Sequence, residues 1–369
     1  MYRPLILIGN GCRNNPKLIE HLCSLNIPVC TTWMGADLVP EDSPVFVGRP
    51  GIFGQRCANI CQQKADYLYC FGARLDGEQV AYDYERFAPH ATKYIYDVDD
   101  SELSKYPPDW QTGWFKKGDP MTWYPSGPPK WLAWCKALYL RFTEELQGNE
   151  SSKYVSPFAL MRYLSDAGKP DDVFAIGSSG NAPTAFYQSF RVKAGQRIHN
   201  VCTTGAMGAD IPMALGSALA SGRRTICVTG DGGFNLNAQE LETIRREHLP
   251  ITFFVLNNNG YASIRTMQDV RFEGRHMGCD PKSGLTLPAL EDLAGAYRLT
   301  YTQLWGADLK DFSKCFDFAP RIVEVMVDPE WKQLPRVMAS TVDGQLRTDS
   351  MEDMSPRVAD LRNIMDWDG

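Results

Sequence analysis

Two oxygen-bearing side chains, Asp231 and Asn258, each come shortly after an apolar run of the sequence. The runs cover residues 225–228 and 251–256, and each is typical of a buried strand. If the two strands are parallel neighbours, both side chains lie at the carboxyl edge of one sheet, where ligands bind in open α/β folds. Mg²⁺ prefers about six oxygen ligands. With the backbone carbonyl of Gly260, the two side chains therefore form a predicted Mg²⁺ site.

A helix is predicted between the two strands. Asn237 followed by Glu240 forms a capping-box pattern, which is typical of a helix start. Leu241 and Ile244 give the segment an apolar stripe, and Pro250 marks its end. A strand, a helix and a second strand in this order favour a parallel β-α-β unit.

Glycines on both sides of Asp231 indicate what else this edge could hold. Gly232 and Gly233 allow a ligand to approach the backbone closely, and their N–H groups could bond a diphosphate. A bare Gly-Asp-Gly is also compatible with an ordinary strand-turn-helix. The second strand with its Asn258 favours the interpretation as a metal and diphosphate site.

These segments resemble the thiamine-diphosphate-dependent enzymes of the acetolactate synthase type, whose signature is Gly-Asp-Gly followed after a short gap by Asn-Asn. Residues 205–216 resemble the segment that covers the cofactor's thiazolium, and residues 262–268 resemble the helix after the Asn-Asn. Residues 351–356 resemble the family's C-terminal arm, and residues 1–105 its middle domain. The resemblance covers nearly the whole chain and is strongest in residues 173–268.

The resemblance implies that thiamine diphosphate and Mg²⁺ bind here. Met207 would be the wedge under the bent cofactor, and the carbonyl of Gly205 would accept from its 4′-amino group. A core methionine is the alternative for Met207. Ser178 and Ser179 stand where relatives often carry Gln and His, so a plain Ser/Gly turn is the alternative there. The predicted cofactor-binding residues are Gly177, Ser178, Ser179, Gly205, Met207, Gly230, Asp231, Gly232, Gly233, Asn258, Gly260, Tyr261 and Ala262.

Ile264 and Arg265, which follow the predicted metal loop, bear on the type of reaction. Decarboxylase relatives often place a glutamate at the position of Ile264, and its absence favours a carboligase, which decarboxylates a 2-oxo acid and then forms a C–C bond. Arg265 could bind a substrate carboxylate in bidentate fashion, with a solvated helix arginine as the alternative. Gly205, Met207 and Arg265 form the predicted catalytic set. A simple 2-oxo acid decarboxylase and a non-catalytic scaffold or regulatory relative are the other functions considered.

The resemblance also implies a missing domain. Full-length relatives have a pyrimidine-binding, a middle and a diphosphate-binding domain, whereas this chain begins at the first strand of the middle domain. The glutamate that activates the cofactor belongs to the pyrimidine-binding domain. We therefore expect the large subunit of a split enzyme, whose separate small subunit carries that domain and glutamate, in a heterotetramer with two of each chain. A degenerate or truncated protein is the alternative.

The predicted fold class is α/β, with two doubly wound parallel-sheet domains. Residues 1–130 form the middle domain with a Pro/Trp-rich linker at its end, residues 131–335 the diphosphate-binding domain, and residues 336–369 a C-terminal arm. Some relatives bind FAD in the middle domain, and residues 72–76 and 97–99 resemble that region. Turns that close strands explain the same residues, so FAD is a less favoured candidate.

Composition excludes several classes of protein. The 369 residues carry a net charge of -6 and contain no long Lys/Arg run, which argues against a nucleic-acid partner. No apolar run reaches the ~18 residues that a bilayer span needs. The 11 cysteines include no CxxC pair, and the 5 histidines show no metal-binding spacing, so no zinc site is predicted. Such cysteines are typical of reduced thiols in a cytoplasmic protein.

Overall fold

The computed structural model describes seven stretches of the chain, residues 2–114, 127–146, 153–178, 180–202, 204–317, 319–342 and 345–359. It divides into two compact units. Unit 1 comprises Met1–Glu145 together with Leu334–Gly369, and unit 2 comprises Leu146–Gln333. The chain thus passes from one unit to the other after residues 145 and 333, whereas the domain boundaries are predicted after residues 130 and 335. Those boundaries stay predictions.

Unit 1 is built on a six-stranded parallel sheet with the order β3-β2-β1-β4-β5-β6. Its strands are β1 (Pro4–Ile8), β2 (Val29–Thr31), β3 (Phe46–Gly48), β4 (Tyr67–Phe71), β5 (Thr92–Asp97) and β6 (Gln111–Trp114). Its helices are α1 (Pro16–Ser24), α2 (Arg56–Lys64), α3 (Asp100–Leu103) and α4 (Pro129–Glu145). The strand order reverses at β1, as expected for a doubly wound sheet.

The start of unit 1 shows how the sequence produces this pattern. Every residue of β1 is buried, which matches its uninterrupted apolar run. Asn15 followed by Pro16 predicts a helix start, and α1 begins there, because the Asn15 side chain accepts a hydrogen bond from the Leu18 N–H at 3.2 Å and Pro16 occupies the first turn. The sequence also predicts strands at residues 5–8, 27–31, 67–71 and 94–97, and these are confirmed as β1, β2, β4 and β5.

Unit 2 is built on a second six-stranded parallel sheet, with the order β11-β12-β10-β9-β7-β8. Its strands are β7 (Val173–Ile176), β8 (Arg197–His199), β9 (Thr225–Gly230), β10 (Ile251–Asn257), β11 (Thr300–Leu304) and β12 (Arg321–Met326). Its helices are α5 (Pro157–Ala167), α6 (Asn181–Ser189), α7 (Asp210–Ser221), α8 (Asp231–Asn235), α9 (Glu240–Arg246), α10 (Ala262–Arg271) and α11 (Leu290–Ala296). The predicted fold class, two doubly wound α/β sheets, is confirmed.

Strands β9 and β10 are neighbours and run in parallel, so the predicted β-α-β unit is confirmed. Ile251 pairs with Thr225 and Leu256 with Gly230, so the two strands end at the same level of the sheet. Both strands are almost wholly buried, which explains their apolar sequences. Their register brings the segments that follow them to one edge.

The predicted capping box is wrong. Helix α9 starts at Glu240 after Gln239, which caps it without a side-chain hydrogen bond. The Asn237 side chain instead donates to the Gly208 carbonyl at 2.7 Å. The Asn237 oxygen, which a capping box needs as acceptor, accepts a hydrogen bond from the Gln239 side chain at 3.0 Å instead. The predicted apolar stripe is confirmed, because Leu241 and Ile244 are fully buried.

The segment after residue 333 returns to unit 1. It contains an antiparallel pair, β13 (Ala339–Val342) and β14 (Gln345–Thr348). The Arg56 guanidinium donates to the carbonyls of Met354 and Pro356 at 2.8 and 2.7 Å, which ties this arm to α2. All 11 cysteines are free thiols. Within the described ranges, no helix is both long and apolar enough to cross a membrane.

Candidate cofactor and metal site

The Asp231 carboxylate joins the two segments that follow β9 and β10. Its Oδ1 accepts a hydrogen bond from the Gly232 N–H at 2.8 Å, and its Oδ2 accepts one from the Gly260 N–H at 2.8 Å. Each oxygen keeps further lone pairs that could bind a cation. The predicted metal ligands Asp231 and Gly260 are therefore in direct contact. The Gly232 N–H, however, is already bonded to the carboxylate beside it.

The Asn258 side chain provides the most direct test of whether a cation fits here. It is only 6% exposed, and its Oδ1 is buried with no hydrogen-bond partner among the described residues. A buried carbonyl oxygen without a partner costs roughly 1–3 kcal/mol, so native proteins usually provide one, which can be a protein group, an ordered water or a bound ion. A hard cation prefers such an amide oxygen. The residues present thus fit Mg²⁺.

Electrostatics supports the same interpretation. Burial raises the pKa of Asp231 to about 6, and the hydrogen bonds from Gly260 and Gly232 counteract this effect only in part. Burial disfavours the charged form of the carboxyl, whereas a nearby cation favours it. A bound divalent ion would therefore lower the pKa of Asp231 and favour its ionised form.

Gly260 adopts a backbone conformation that favours glycine. Its φ is 119°, and a Cβ at this position would lie 2.5 Å from the Cys279 carbonyl oxygen. Its own carbonyl accepts the Ala262 N–H at 3.1 Å at the start of α10. The loop after β10 therefore needs glycine at this position, where the backbone N–H reaches Asp231.

Two of the glycines predicted to contact the diphosphate, Gly232 and Gly233, have neighbouring side chains so close that a Cβ would clash with them. A Cβ at Gly232 would approach the Tyr261 ring to 2.3 Å, and a Cβ at Gly233 would lie 2.9 Å from Oδ2 of Asp210. Close approach explains why both positions are glycine. Gly230 differs, because open space surrounds the position of its Cβ.

Met207 and Ser178 come together beside this loop. The Ser178 hydroxyl donates to the carbonyl of Ala206, which joins the segment after β7 to the predicted wedge. Met207 is 40% exposed, and its Cε lies 3.4 Å from the position of a Gly232 Cβ. An exposed methionine beside the glycine loop fits a wedge better than a core residue. Gly177 donates its N–H to Val228, and Ser179 lies outside the described residues.

Arg265 is not a solvated helix arginine. It is 7% exposed, and its guanidinium donates to the carbonyl of Pro329. Its positive charge also contributes to lowering the pKa of Asp280, after the larger effect of the Ser283 hydrogen bonds. The structure therefore gives this arginine local partners, and its binding of a substrate carboxylate stays a prediction.

Sequence reasoning missed Asp210, the first residue of α7. Its Oδ2 accepts a hydrogen bond from the Thr229 hydroxyl, and its Oδ1 is buried without a partner in the part of the chain that the structure describes. Burial raises the pKa of Asp210 to about 6. The sequence signal for Asp210 is its position directly after the Met-Gly-Ala turn of residues 207–209. The burial of its side chain depends on the packing of β9 against α7 and so is not visible in the sequence.

Glu324 on β12 was missed as well. It is 6% exposed, and its Oε1 accepts from the Asn257 side chain at 2.6 Å while its Oε2 accepts from Gln303 at 2.8 Å. The Asn257 Oδ1 in turn accepts the Asn259 N–H at 3.0 Å. The first asparagine of the Asn-Asn pair thus shapes the loop, and the second provides the unpaired oxygen.

The region considered for FAD has a structural role. A Cβ at Gly72 would lie 2.7 Å from the Cα of Gly11, so these two backbones need glycine to pack. Asp97 Oδ1 accepts the N–H groups of Val98 and Asp99 at 2.7 and 3.2 Å, which closes the turn after β5. FAD binding stays a prediction.

Comparison with known proteins agrees with this geometry. The family described as "Thiamine pyrophosphate enzyme, central domain" matches residues 2–112, and "Thiamine pyrophosphate enzyme, C-terminal TPP binding domain" matches residues 178–319. The second match contains every predicted metal ligand and almost every predicted cofactor contact.

Individual relatives are acetolactate synthase large subunits. The chain is 30% identical over 286 residues to the isozyme 2 large subunit of Escherichia coli (strain K12), covering 74% of this chain and 50% of the relative. It is 29% identical over 315 residues to the acetolactate synthase large subunit of Buchnera aphidicola subsp. Schlechtendalia chinensis, covering 80% of this chain and 53% of the relative. The probable subunit of Methanococcus aeolicus is 24% identical over 367 residues, covering 89% and 58%. The chain thus spans about half the length of these relatives. Two matched domains and these similarities show that it belongs to the thiamine pyrophosphate enzyme family, with acetolactate synthase large subunits among its relatives.

Proposed function

We propose that the chain is the diphosphate- and metal-binding subunit of a split, acetolactate synthase-like carboligase that decarboxylates a 2-oxo acid and then forms a C–C bond. The observation that carries the proposal is the buried Oδ1 of Asn258, which has no hydrogen-bond partner among the described residues. Asn258 lies in the loop that the Gly260 N–H bonds to the Asp231 carboxylate. The similarity to acetolactate synthase large subunits supports the choice of reaction.

In the proposed site, Mg²⁺ is held by Asp231, Asn258 and the Gly260 carbonyl. The Gly233 N–H and the Ser178 hydroxyl lie on the segments that would contact the diphosphate. Bound thiamine diphosphate supplies the electron sink that decarboxylation requires. The contribution of this chain is to bind and orient that group.

Met207 has a positioning role in the proposal. Its side chain stands beside Gly232 and is exposed enough to contact a ligand. The turn that carries it is fastened at two points, because Ser178 donates to Ala206 and Asn237 donates to Gly208. A fastened turn can hold a ligand in one conformation at little further cost in entropy.

We further propose that a separate chain supplies the pyrimidine-binding domain and its activating glutamate, in a heterotetramer with two of each chain. The two matched domains are the central and C-terminal domains, and the relatives are about twice as long. A cytoplasmic location is part of the same proposal, since the 11 free cysteines suit a reducing compartment.

The binding part of the proposal is tested by titrating thiamine diphosphate with Mg²⁺ into the full chain by calorimetry and thermal shift. Asp231→Asn should abolish the Mg²⁺-dependent signal, whereas the exposed Asp292→Asn should preserve it. If the unaltered chain shows no Mg²⁺-dependent binding, alone or with a candidate partner chain, the enzyme proposal fails and a scaffold remains.

The reaction is tested with pyruvate and a co-purified partner. A C–C coupled product supports the carboligase, and acetaldehyde alone identifies a decarboxylase. Ile264, which is 38% exposed on α10, carries no carboxyl that could protonate a product, and this favours ligation. If no separate chain co-purifies and activity requires a pyrimidine-binding domain fused in one polypeptide, the split arrangement is wrong.

A further inference from the structure

The loop between α10 and α11 gathers three side chains with different ligand atoms. His276, Cys279 and Asp280 place a ring nitrogen, a thiol sulfur and a carboxylate oxygen within 4.8 Å of one another. Neither the proposed Mg²⁺ site nor the cofactor contacts use these side chains. We propose that they form a second metal site, which binds Zn²⁺ or a similar transition-metal ion.

Neighbouring groups orient the ligand atoms. The His276 Nε2 lies 2.6 Å from Oδ1 of Asp269 on α10, and a carboxylate there takes the Nε2–H. The lone pair of the neutral ring is then on Nδ1, which becomes the metal ligand. A carboxylate behind a metal-bound histidine is a common arrangement around zinc.

Ser283 orients the other two ligands. Oδ1 of Asp280 accepts the Ser283 N–H at 2.8 Å and its hydroxyl at 2.7 Å, so Oδ2 is the candidate ligand. The Ser283 hydroxyl also lies 3.4 Å from the Cys279 sulfur. Cys279 is fully buried and His276 is exposed, so the ion would reach the sulfur from the histidine side.

The loop that carries the ligands is held in place before any ion binds. The Gln268 side chain donates to the Met277 carbonyl at 3.1 Å and accepts the Met277 N–H at 3.0 Å. The Gly278 N–H donates to the Ser283 carbonyl at 2.9 Å. An ion would therefore bind a largely formed site, which lowers the entropy that ligation removes.

The donor set indicates the kind of ion. Zn²⁺ binds sulfur at about 2.3 Å and nitrogen or oxygen at about 2.0–2.2 Å, which separates tetrahedral ligands by about 3.5 Å. The three ligand atoms already lie within 4.8 Å of one another, and small side-chain rotations would shorten their separations to about 3.5 Å. Sulfur and imidazole select such ions over Mg²⁺ and Ca²⁺. Three protein ligands leave a fourth position for water.

This second site adjoins the loop after β10. The Cys279 carbonyl accepts the Tyr261 N–H at 2.8 Å, and the Cα of Asp280 lies 3.4 Å from the position of a Gly260 Cβ. An ion on Cys279 and Asp280 would therefore brace the loop that presents Asn258 and Gly260. The binding of Zn²⁺ itself does not depend on the function proposed above.

The test is a titration of the chelator-stripped, reduced full chain with Zn²⁺, in competition with a chromophoric chelator and in excess Mg²⁺. We expect one Zn²⁺ per chain, with an affinity that falls at least tenfold in His276→Ala and in Cys279→Ser. Asp269→Asn should weaken binding by about 10–100-fold, as loss of an outer-shell partner does. Co²⁺ should give a sulfur-to-metal charge-transfer band that Cys279→Ser lacks.

The controls separate this site from other sources of binding. Cys23→Ser with His21→Ala changes the same residue types in unit 1 and should leave the affinity unchanged. Asp231→Asn should also retain Zn²⁺ binding, which distinguishes this site from the Mg²⁺ site. His276 is exposed, so His276→Ala tests the proposal even if Cys279→Ser unfolds in a thermal melt. The proposal is overturned if the chain binds no Zn²⁺ or if His276→Ala binds it equally well.

Discussion

The Gly260 N–H donates to Oδ2 of Asp231 at 2.8 Å, and this hydrogen bond fastens the loop after β10 to the first residue of α8. The same carboxylate accepts the Gly232 N–H through Oδ1. Asp231 is thus a structural link between α8 and that loop as well as a candidate metal ligand, and the two roles can be separated experimentally.

Asp231→Asn should damage both roles. The new amide can keep only one oxygen acceptor, so either the Gly232 or the Gly260 N–H loses its bond, at about 1–3 kcal/mol in the free energy of unfolding. Urea unfolding without metal measures this loss. Isothermal titration with Mg²⁺ and thiamine diphosphate should show no binding. Retained Mg²⁺-dependent binding in this variant would exclude Asp231 as a ligand.

Asn258→Ala should separate the two roles. Its Oδ1 has no hydrogen-bond partner among the described residues, so little stability is lost when the oxygen is removed from the metal-free protein. Mg²⁺ binding should nevertheless weaken at least tenfold. Thermal melts with and without Mg²⁺ check this pair of outcomes. A large destabilisation without metal, together with normal Mg²⁺ binding, would assign the side chain a purely structural role.

Gly232→Ala should destabilise the protein by about 1–3 kcal/mol, the usual cost of overpacking, because its Cβ would approach the Tyr261 ring to 2.3 Å. Adding Tyr261→Ala should remove much of the clash, so the double variant should be more stable than additivity predicts. Gly216→Ala is the matched control. Open space surrounds this α7 position, and the change should stabilise by about 0.5–1 kcal/mol. Equal effects at both glycines would contradict the packing seen here.

Asp210→Asn should change the pH dependence of stability. Burial raises the pKa of Asp210 to about 6 in the folded protein, against about 3.9 when unfolded. Its contribution is therefore fully present below pH ~4 and is lost as the pH rises through about 6. The variant does not ionise at this position. Its free energy of unfolding, relative to that of the wild type, should therefore rise with pH from about 4 upward, by at most about 3 kcal/mol in total.

Urea unfolding of both proteins at several pH values from 4 to 8 measures this difference. Asp231 also has a raised pKa, but it is present in both proteins and its contribution cancels in the comparison. A stability difference that does not change with pH would mean that Asp210 stays ionised or stays neutral throughout.

The sequence predicted the core of the site because its signals are local. Strands β9 and β10 are uninterrupted apolar runs, and Asp231 and Asn258 follow them at positions that parallel strands bring to one edge. A β-α-β unit with two neighbouring parallel strands is enough to bring these two residues to the same edge of the sheet. The role of Met207 as a wedge comes from resemblance and stays a prediction; its side chain lies exposed beside Gly232.

What could not be predicted depends on contacts between distant segments. The Asn237 side chain could have capped a helix, but its nitrogen donates to the Gly208 carbonyl and its oxygen accepts from the Gln239 side chain. Asp210 and Glu324 have the composition of surface residues, and only the packed sheet buries them. The histidines showed no metal-binding spacing, because the groups that orient His276 and its neighbours become visible only once the loop has folded.

The bond between Gly260 and Asp231 also bears on the choice between magnesium and calcium. The candidate ligand oxygens are carried by the start of α8 and by the loop after β10, which a backbone amide clamps together, so a cage of these oxygens would resist widening. Calcium requires bonds of 2.3–2.6 Å, whereas magnesium requires about 2.0–2.1 Å. A clamped cage of this kind would discriminate against the larger ion by its radius, even though both ions carry the same charge.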